Sequence, residues 1–250
     1  MAGGKILTHS KQVALVTGST SGIGLAIARK LASENYLVAQ NSRNHVDNSE
    51  LILDQHYIAD VTIEEDCKKL VERITTDYGR LDVLVCNVGS GRPLLIETNK
   101  KEYWDHYLNV NFHSATLIIE SALNLLVENR GRVIAISSIC ADDSQINAPL
   151  GYSSAKAALQ VFMKTMAVKH GASDVRFNVV SPGNVFFKGS VWEKKLQENE
   201  FTIQKYIKEE VPLRRFITDN DIAESVSFLV SEKAKNITGV NLKVDGGQSV

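Results

Sequence analysis

The stretch "VALVTGSTSGIGLAIARKLASE", residues 13–34, changes its periodicity within a single short span. Val13 to Val16 is an unbroken apolar run of strand type, and from Ile23 onward the apolar residues recur at helical spacing. Between the two lies "TGSTSGIG", Thr17 to Gly24, built from glycines and small hydroxylated residues. Glycines at a strand-to-helix turn let backbone approach a ligand closely, and the free N–H groups and dipole at a helix start attract a pyrophosphate. Gly18, Ser21, Gly22, Ile23 and Gly24 are therefore the candidate phosphate-binding residues. Their spacing is GxxxGxG rather than GxGxxG, and the strand before them and amphipathic helix after them set the turn apart from an ordinary connection.

Outward from this turn the same alternation continues. "YLVAQNS", "LDVLVCNVG", "RVIAISS", "VRFNVVSPG" and "GVNLKVDGG" are strand-like, and they alternate with longer helical segments, among them one from Lys100 to about Asn129. Repeated βαβ order with strands this apolar predicts an α/β, doubly wound Rossmann-type parallel sheet of about seven strands, with helices on both faces. The 250 residues, 44% of them apolar, read as one domain over 1–250. Only residues 184–212 break the pattern, as a polar and aromatic insertion; residues 44–56 look short for the usual crossover helix.

Composition narrows the function classes. A net charge of −1 with interspersed acids and bases gives no footprint for nucleic acid or an anionic membrane. No run of about 18 apolar residues and no signal core is present, and three cysteines without a CxxC pair favour a reducing compartment, so the expected location is cytoplasmic. The six histidines form no metal-ligand spacing, so no metal is expected. Asp142 and Asp143 read as a solvated loop rather than an acid pair, and Cys140 as a thiol without a role.

"YSSAK" places Tyr152 and Lys156 four apart, on one face of a helix. A phenol of pKa ~10 is a reluctant proton carrier near neutral pH, and a neighbouring ammonium lowers that value. Tyr152 is thus a candidate general acid and base, with Lys156 as its partner.

Thr17–Gly24, Asp60, "CNVG" at 86–89, Asn111, Ser138, "YSSAK" at 152–156, "NVVSPG" at 178–183 and "ITGVNLKVDGG" at 237–247 together resemble the short-chain dehydrogenase/reductase family, over nearly the whole chain. The resemblance implies an oxidoreductase that moves a hydride between a nicotinamide cofactor and a secondary alcohol or ketone. It implies catalytic roles for Asn111, Ser138 (with Ser137 as its competitor), Tyr152 and Lys156. It further implies that Asp60 and Val61 reach the adenine, that Asn87 and Gly89 border the adenine-ribose side, and that Pro182, Gly183 and Val185 wall the nicotinamide. Residues 184–212 become a substrate lid, and the chain end implies a homo-oligomer, a dimer or tetramer. Cys86 and Val88 depart from the usual Asn and Ala, and Phe187 stands where relatives commonly carry the Thr of PGxVxT. Phe186, Phe187 and Trp192 are expected either to shape the substrate pocket or to pack the lid onto the core.

The second strand ends "AQNSRN", where Ser42 and Arg43 offer a hydroxyl and a cation instead of a carboxylate that would repel a 2′-phosphate. NADP(H) is favoured over NAD(H). Two other readings share parts of this pattern: a sugar-nucleotide epimerase or dehydratase, which usually carries a larger substrate domain, and a dinucleotide-binding regulator without turnover.

Overall fold

Four consecutive apolar residues without polar alternation need cover on both sides, and Val13–Val16 forms strand β1 with every residue buried. The computed structural model describes residues 11–45, 55–142 and 148–250. After β1 come α1 (Gly22–Ser33), β2 (Leu37–Ser42), β3 (His56–Ile58), α2 (Glu64–Tyr78) and β4 (Val83–Cys86). Next are α3 (Lys101–Leu108), a π-helical turn (Asn109–His113), α4 (Ser114–Glu128), β5 (Arg132–Ile136), α5 (Leu150–His170) and β6 (Arg176–Pro182). The chain closes with β7 (Val185–Phe186), α6 (Val191–Glu198), α7 (Glu200–Glu210), β8 (Ile217–Thr218), α8 (Asp219–Val230) and β9 (Asn241–Val244). The short segment 44–56 cannot be followed through, because residues 46–54 lie outside the described residues.

Seven strands form one parallel sheet in the order β3-β2-β1-β4-β5-β6-β9, as the βαβ alternation predicts. The order reverses between β1 and β4, which opens a crevice at their carboxyl ends. Successive side chains along β1 point to opposite faces. Val13 and Leu15 pack with Leu70, Ile118, Leu159 and Met163 of α2, α4 and α5. Ala14 and Val16 pack with Ile27, Leu31, Ile222 and Val226 of α1 and α8. Burial of these faces supplies the main driving force.

Polar anchors hold the frame where strands end. The buried carboxylate of Asp82 accepts the Val13 N–H at 2.8 Å and pairs with Arg80, tying β1 to the start of β4. Buried Arg176 donates to the carbonyls of Leu229 (2.6 Å) and Val230 (3.3 Å), which the end of α8 leaves without helical partners. The Thr218–Asp221 capping box starts that helix.

The predicted long helix near Lys100–Asn129 is present, with a π turn inside it around Asn111. Among the described residues, Lys101–Glu128 is long and apolar enough to cross a membrane, and half of its apolar window is buried inside the protein. Ile118, Ile119, Ala122 and Leu126 there are fully buried in the core. The inserted segment after β6 folds as β7, α6 and α7, with β7 and β8 pairing Val185 with Ile217 and Phe186 with Thr218.

Candidate active site

The glycine turn is braced from the neighbouring strand. Thr17 Oγ accepts the Asn87 N–H at 3.0 Å, and Asn87 Nδ2 donates to the carbonyls of Thr17 (3.0 Å) and Gly18 (3.1 Å). Gly18 and Gly22 hold φ of +59° and +52°, a region that favours glycine. A Cβ on Gly24 would lie 2.5 Å from Asn87 Nδ2 and closer still to the Gly18 carbonyl, so only glycine lets α1 start this near the turn. Ser21 opens α1 in extended backbone without a side-chain cap. On the other flank Ser19 Oγ accepts the Asn41 N–H, and Gln40 Nε2 donates to the Ser19 carbonyl. Sequence reasoning missed these supports; their signal was the presence of polar Gln40 and Asn41 inside an otherwise apolar strand.

Tyr152 and Lys156 share a face of α5 that turns toward the ends of β4 and β5. Lys156 is buried and its Nζ donates to the Ile136 carbonyl at 2.7 Å; loss of water holds its pKa down to about 8. Tyr152 does not show the lowering expected from a nearby ammonium. Burial pushes its phenol up to about 12, and a hydrogen bond with Ser138 works in the opposite direction. Of the two adjacent serines, Ser138 meets Tyr152, whereas Ser137 Oγ donates to the Lys156 carbonyl (3.2 Å) and accepts from Gln160. Both serines follow Ile136, the last residue of β5, and Ser138 caps the short turn that comes next, its Oγ accepting the Cys140 N–H at 3.2 Å.

Asn111 is fully buried on the π turn, a feature that often marks functional sites. Its amide accepts the Ser90 N–H at 2.8 Å and donates to the carbonyls of Ser90 and Tyr107. Gly89 is wedged in between, since a Cβ there would sit 2.8 Å from Lys156 Nζ and 2.9 Å from Asn111 Oδ1. Asn109, two residues away, is exposed.

These groups open onto one cleft of about 880 Å³. Gly18, Ser21, Gly22, Ile23 and Gly24 line one end of it, and Asn87 and Gly89 its floor. Ser138, Tyr152 and Lys156 border it together with Pro182, Gly183 and Val185. Asn111 stands behind this surface. Ser42, Arg43, Asp60 and Val61 are not among the residues that line the cleft; Ser42 ends β2 and Arg43 follows it, while Asp60 and Val61 lie between β3 and α2.

Three of the outlying residues have partners of their own. The Ser42 hydroxyl is not a free donor, because it gives its proton to the Asn44 carbonyl (2.6 Å) and lies 2.7 Å from His56 Nε2. Arg43 beside it is exposed. One carboxylate oxygen of Asp60 accepts both the Thr62 N–H (3.0 Å) and Thr62 Oγ (2.7 Å), which shapes the entry to α2. Asp142 accepts from Asn241 Nδ2 at 3.0 Å and pairs with Lys243, so it is an edge contact to β9; Asp143 lies outside the described residues.

The aromatics of the inserted segment after β6 take different positions. Phe186 packs on Phe216, away from the cleft. Trp192 lines the cleft, stacked on Tyr206 at 5.4 Å. Phe187 lines it too, half-buried against the α1 side of the core, with its ring lying over Gly22. The ring edge would be 2.7 Å from a Cβ on that glycine.

Residues 18–249 match a family model described as enoyl-(acyl carrier protein) reductase. The chain is 31% identical to glucose 1-dehydrogenase 2 of Bacillus subtilis, covering 96% of this chain and 95% of that one. It is equally 31% identical to the 3-oxoacyl-[acyl-carrier-protein] reductase FabG of Staphylococcus epidermidis, covering 94% and 97%. Among solved structures, ligand-free aldohexose dehydrogenase of Thermoplasma acidophilum superposes with a TM-score of 0.85 at 30% identity, over 96% of this chain and 94% of that chain. An oxidoreductase of Burkholderia thailandensis, described as of the short chain dehydrogenase/reductase family, gives 0.83 at 28% identity, over 96% and 93%.

Proposed function

The chain belongs to the short-chain dehydrogenase/reductase family of oxidoreductases, and on that premise we propose that it is an NADP(H)-preferring carbonyl reductase, or alcohol dehydrogenase in the reverse direction. The observation that carries this reading is the meeting of Ser138, Tyr152 and Lys156 in one cleft with the glycine turn. That turn fits a dinucleotide: Gly18 and Gly22 at positive φ and the close Gly24 approach make a tight backbone turn at a helix start, where a Cβ on Gly24 would clash with the Gly18 carbonyl and Asn87, and only the Phe187 ring lies over Gly22. Bound there, NADP(H) would supply or accept the hydride. Gly18, Ser21, Gly22, Ile23 and Gly24 would hold its phosphates, and Pro182, Gly183 and Val185 would wall its reactive end.

The protein's own part is proton transfer and orientation. Ser138 holds the carbonyl oxygen as charge develops on it, and Tyr152 donates the proton that completes reduction or takes it back in oxidation. With a pKa of about 8, Lys156 can gain and lose a proton close to neutral pH, which suits it to resupply Tyr152. Asn111 holds the 89–90 loop against Lys156. The preference for NADP(H) rests on exposed Arg43 at the end of β2, with Asn44 and His45 after it and no carboxylate between residues 42 and 45. Asp60 and Val61 complete the adenine end. The segment from Asn184 through α6 and α7 serves as the substrate lid.

We assign the protein to the cytoplasm, in keeping with its free cysteines Cys67, Cys86 and Cys140. Exposed Val161 and Val168 on α5 and the outer edge of β9 favour a homo-oligomer. The function is tested by assaying a carbonyl and alcohol panel with both cofactors, alongside Tyr152→Phe. The variant is expected to lose turnover by about 10²-fold or more and to bind NADPH normally; retained turnover refutes the assigned chemistry.

A further inference from the structure

The charge of the cleft is one-sided. Among the described residues that line it, the charged ones are Arg92, Lys156 and Lys195, with no carboxylate. Lys156 is committed to the Ile136 carbonyl at the base. Arg92 and Lys195 stand exposed on different elements at the mouth, and neither forms an ion pair with a described residue.

The backbone of Arg92 and the side chain of Lys195 are each held in place. The Arg92 carbonyl accepts from Tyr107 Oη at 2.7 Å, and its N–H donates to Ser90 Oγ at 3.3 Å. Gly91, next to it, lies against the Tyr152 ring, since a Cβ there would be 3.3 Å from Tyr152 Cε1. From the lid side, Lys195 Nζ rests 4.5 Å from the centroid of the Trp192 ring, a cation–π contact that fixes an otherwise mobile side chain. Both cations therefore sit at the Tyr152 and lid end, whereas a pyrophosphate would be received by backbone N–H groups at the glycine turn. Like charges in a concave site concentrate anions and turn away cations.

We propose that the substrate is an anionic carbonyl compound whose carboxylate or phosphate is received by Arg92 and Lys195 while its ketone lies at Tyr152. The proposal rests on the carbonyl-reductase reading and names the substrate class for that site. The carbonyl carbon takes a hydride from NADPH and the oxygen takes a proton through Tyr152, giving a secondary alcohol and NADP⁺; the anionic group is untouched.

The test uses matched pairs with NADPH: 3-oxobutanoate against its ethyl ester, and dihydroxyacetone phosphate against dihydroxyacetone. Wild type, Arg92→Gln and Lys195→Gln are compared, and NADPH affinity is titrated separately by fluorescence. The anionic member of at least one pair is expected to have the higher kcat/KM, and the pair that responds separates carboxylate from phosphate. Each variant should raise KM for that anion about tenfold, leaving the neutral partner and NADPH affinity unchanged. Turnover that ignores charge and falls equally for both members overturns the proposal alone. Weakened NADPH binding with unaltered discrimination also overturns it, because the cations would then serve the cofactor. Silence with all four ketones overturns it together with the carbonyl-reductase reading.

Discussion

Replacing Lys156 with Met should make the protein more stable relative to wild type at neutral pH than at alkaline pH. The lysine is buried and its pKa is held down from 10.5 to about 8, so the folded state keeps a charge that it disfavours. A base with a depressed folded pKa binds fewer protons when folded; between about pH 8 and 10.5 the unfolded chain holds the extra proton, and stability rises with pH. The penalty is fully present below that window and absent above it. At pH 7 it amounts to about 3 kcal/mol, and at pH 9.5 about 1–2 kcal/mol remains, so about 2 kcal/mol is relieved between the two. Met removes the penalty at every pH and also removes the 2.7 Å donation to Ile136, a loss that does not depend on pH. The change in the stability difference therefore isolates the buried charge. For a chain of this size about 2 kcal/mol corresponds to a shift of roughly 4–8 °C in Tm. Thermal melts of both proteins at the two pH values should show the variant's Tm relative to wild type falling by that amount as the pH rises. A difference that stays constant across the window would refute the depressed lysine, and with it the proton-resupply role proposed for Lys156.

Gly24→Ala should abolish tight NADPH binding while the protein still folds, because its Cβ would press on the Asn87 amide and on the Gly18 carbonyl that shapes the cradle; a fluorescence titration reads the loss. Phe187→Thr takes an aromatic ring off Gly22, so NADPH should bind several-fold more tightly while stability falls by about 1–2 kcal/mol; unchanged affinity would make the ring simple lid packing. Arg43→Ala should raise KM for NADPH about tenfold and leave NADH unaffected, and a preference for NADH in both proteins would remove the 2′-phosphate assignment.

Local pattern was enough for much of this molecule. A strand run, a glycine turn and an amphipathic helix specify one βαβ unit, and its repetition specifies a parallel sheet with both faces covered, since helix and strand periods are written residue by residue. Tyr152 and Lys156 were equally readable, because a spacing of four fixes a shared helix face before any tertiary contact forms. Other features depend on what the fold brings alongside. The Ser42 hydroxyl meets His56 only because β2 and β3 pair, and Phe187 covers Gly22 only because the segment after β6 comes back to the start of the first helix. The shifts of Tyr152 and Lys156 likewise come from burial, which belongs to the assembled site and not to a residue's neighbours in the chain. Sequence thus determined which groups the protein brings to its cleft. Packing decided which of them are free to act, because desolvation and long-range hydrogen bonds exist only once distant segments have met.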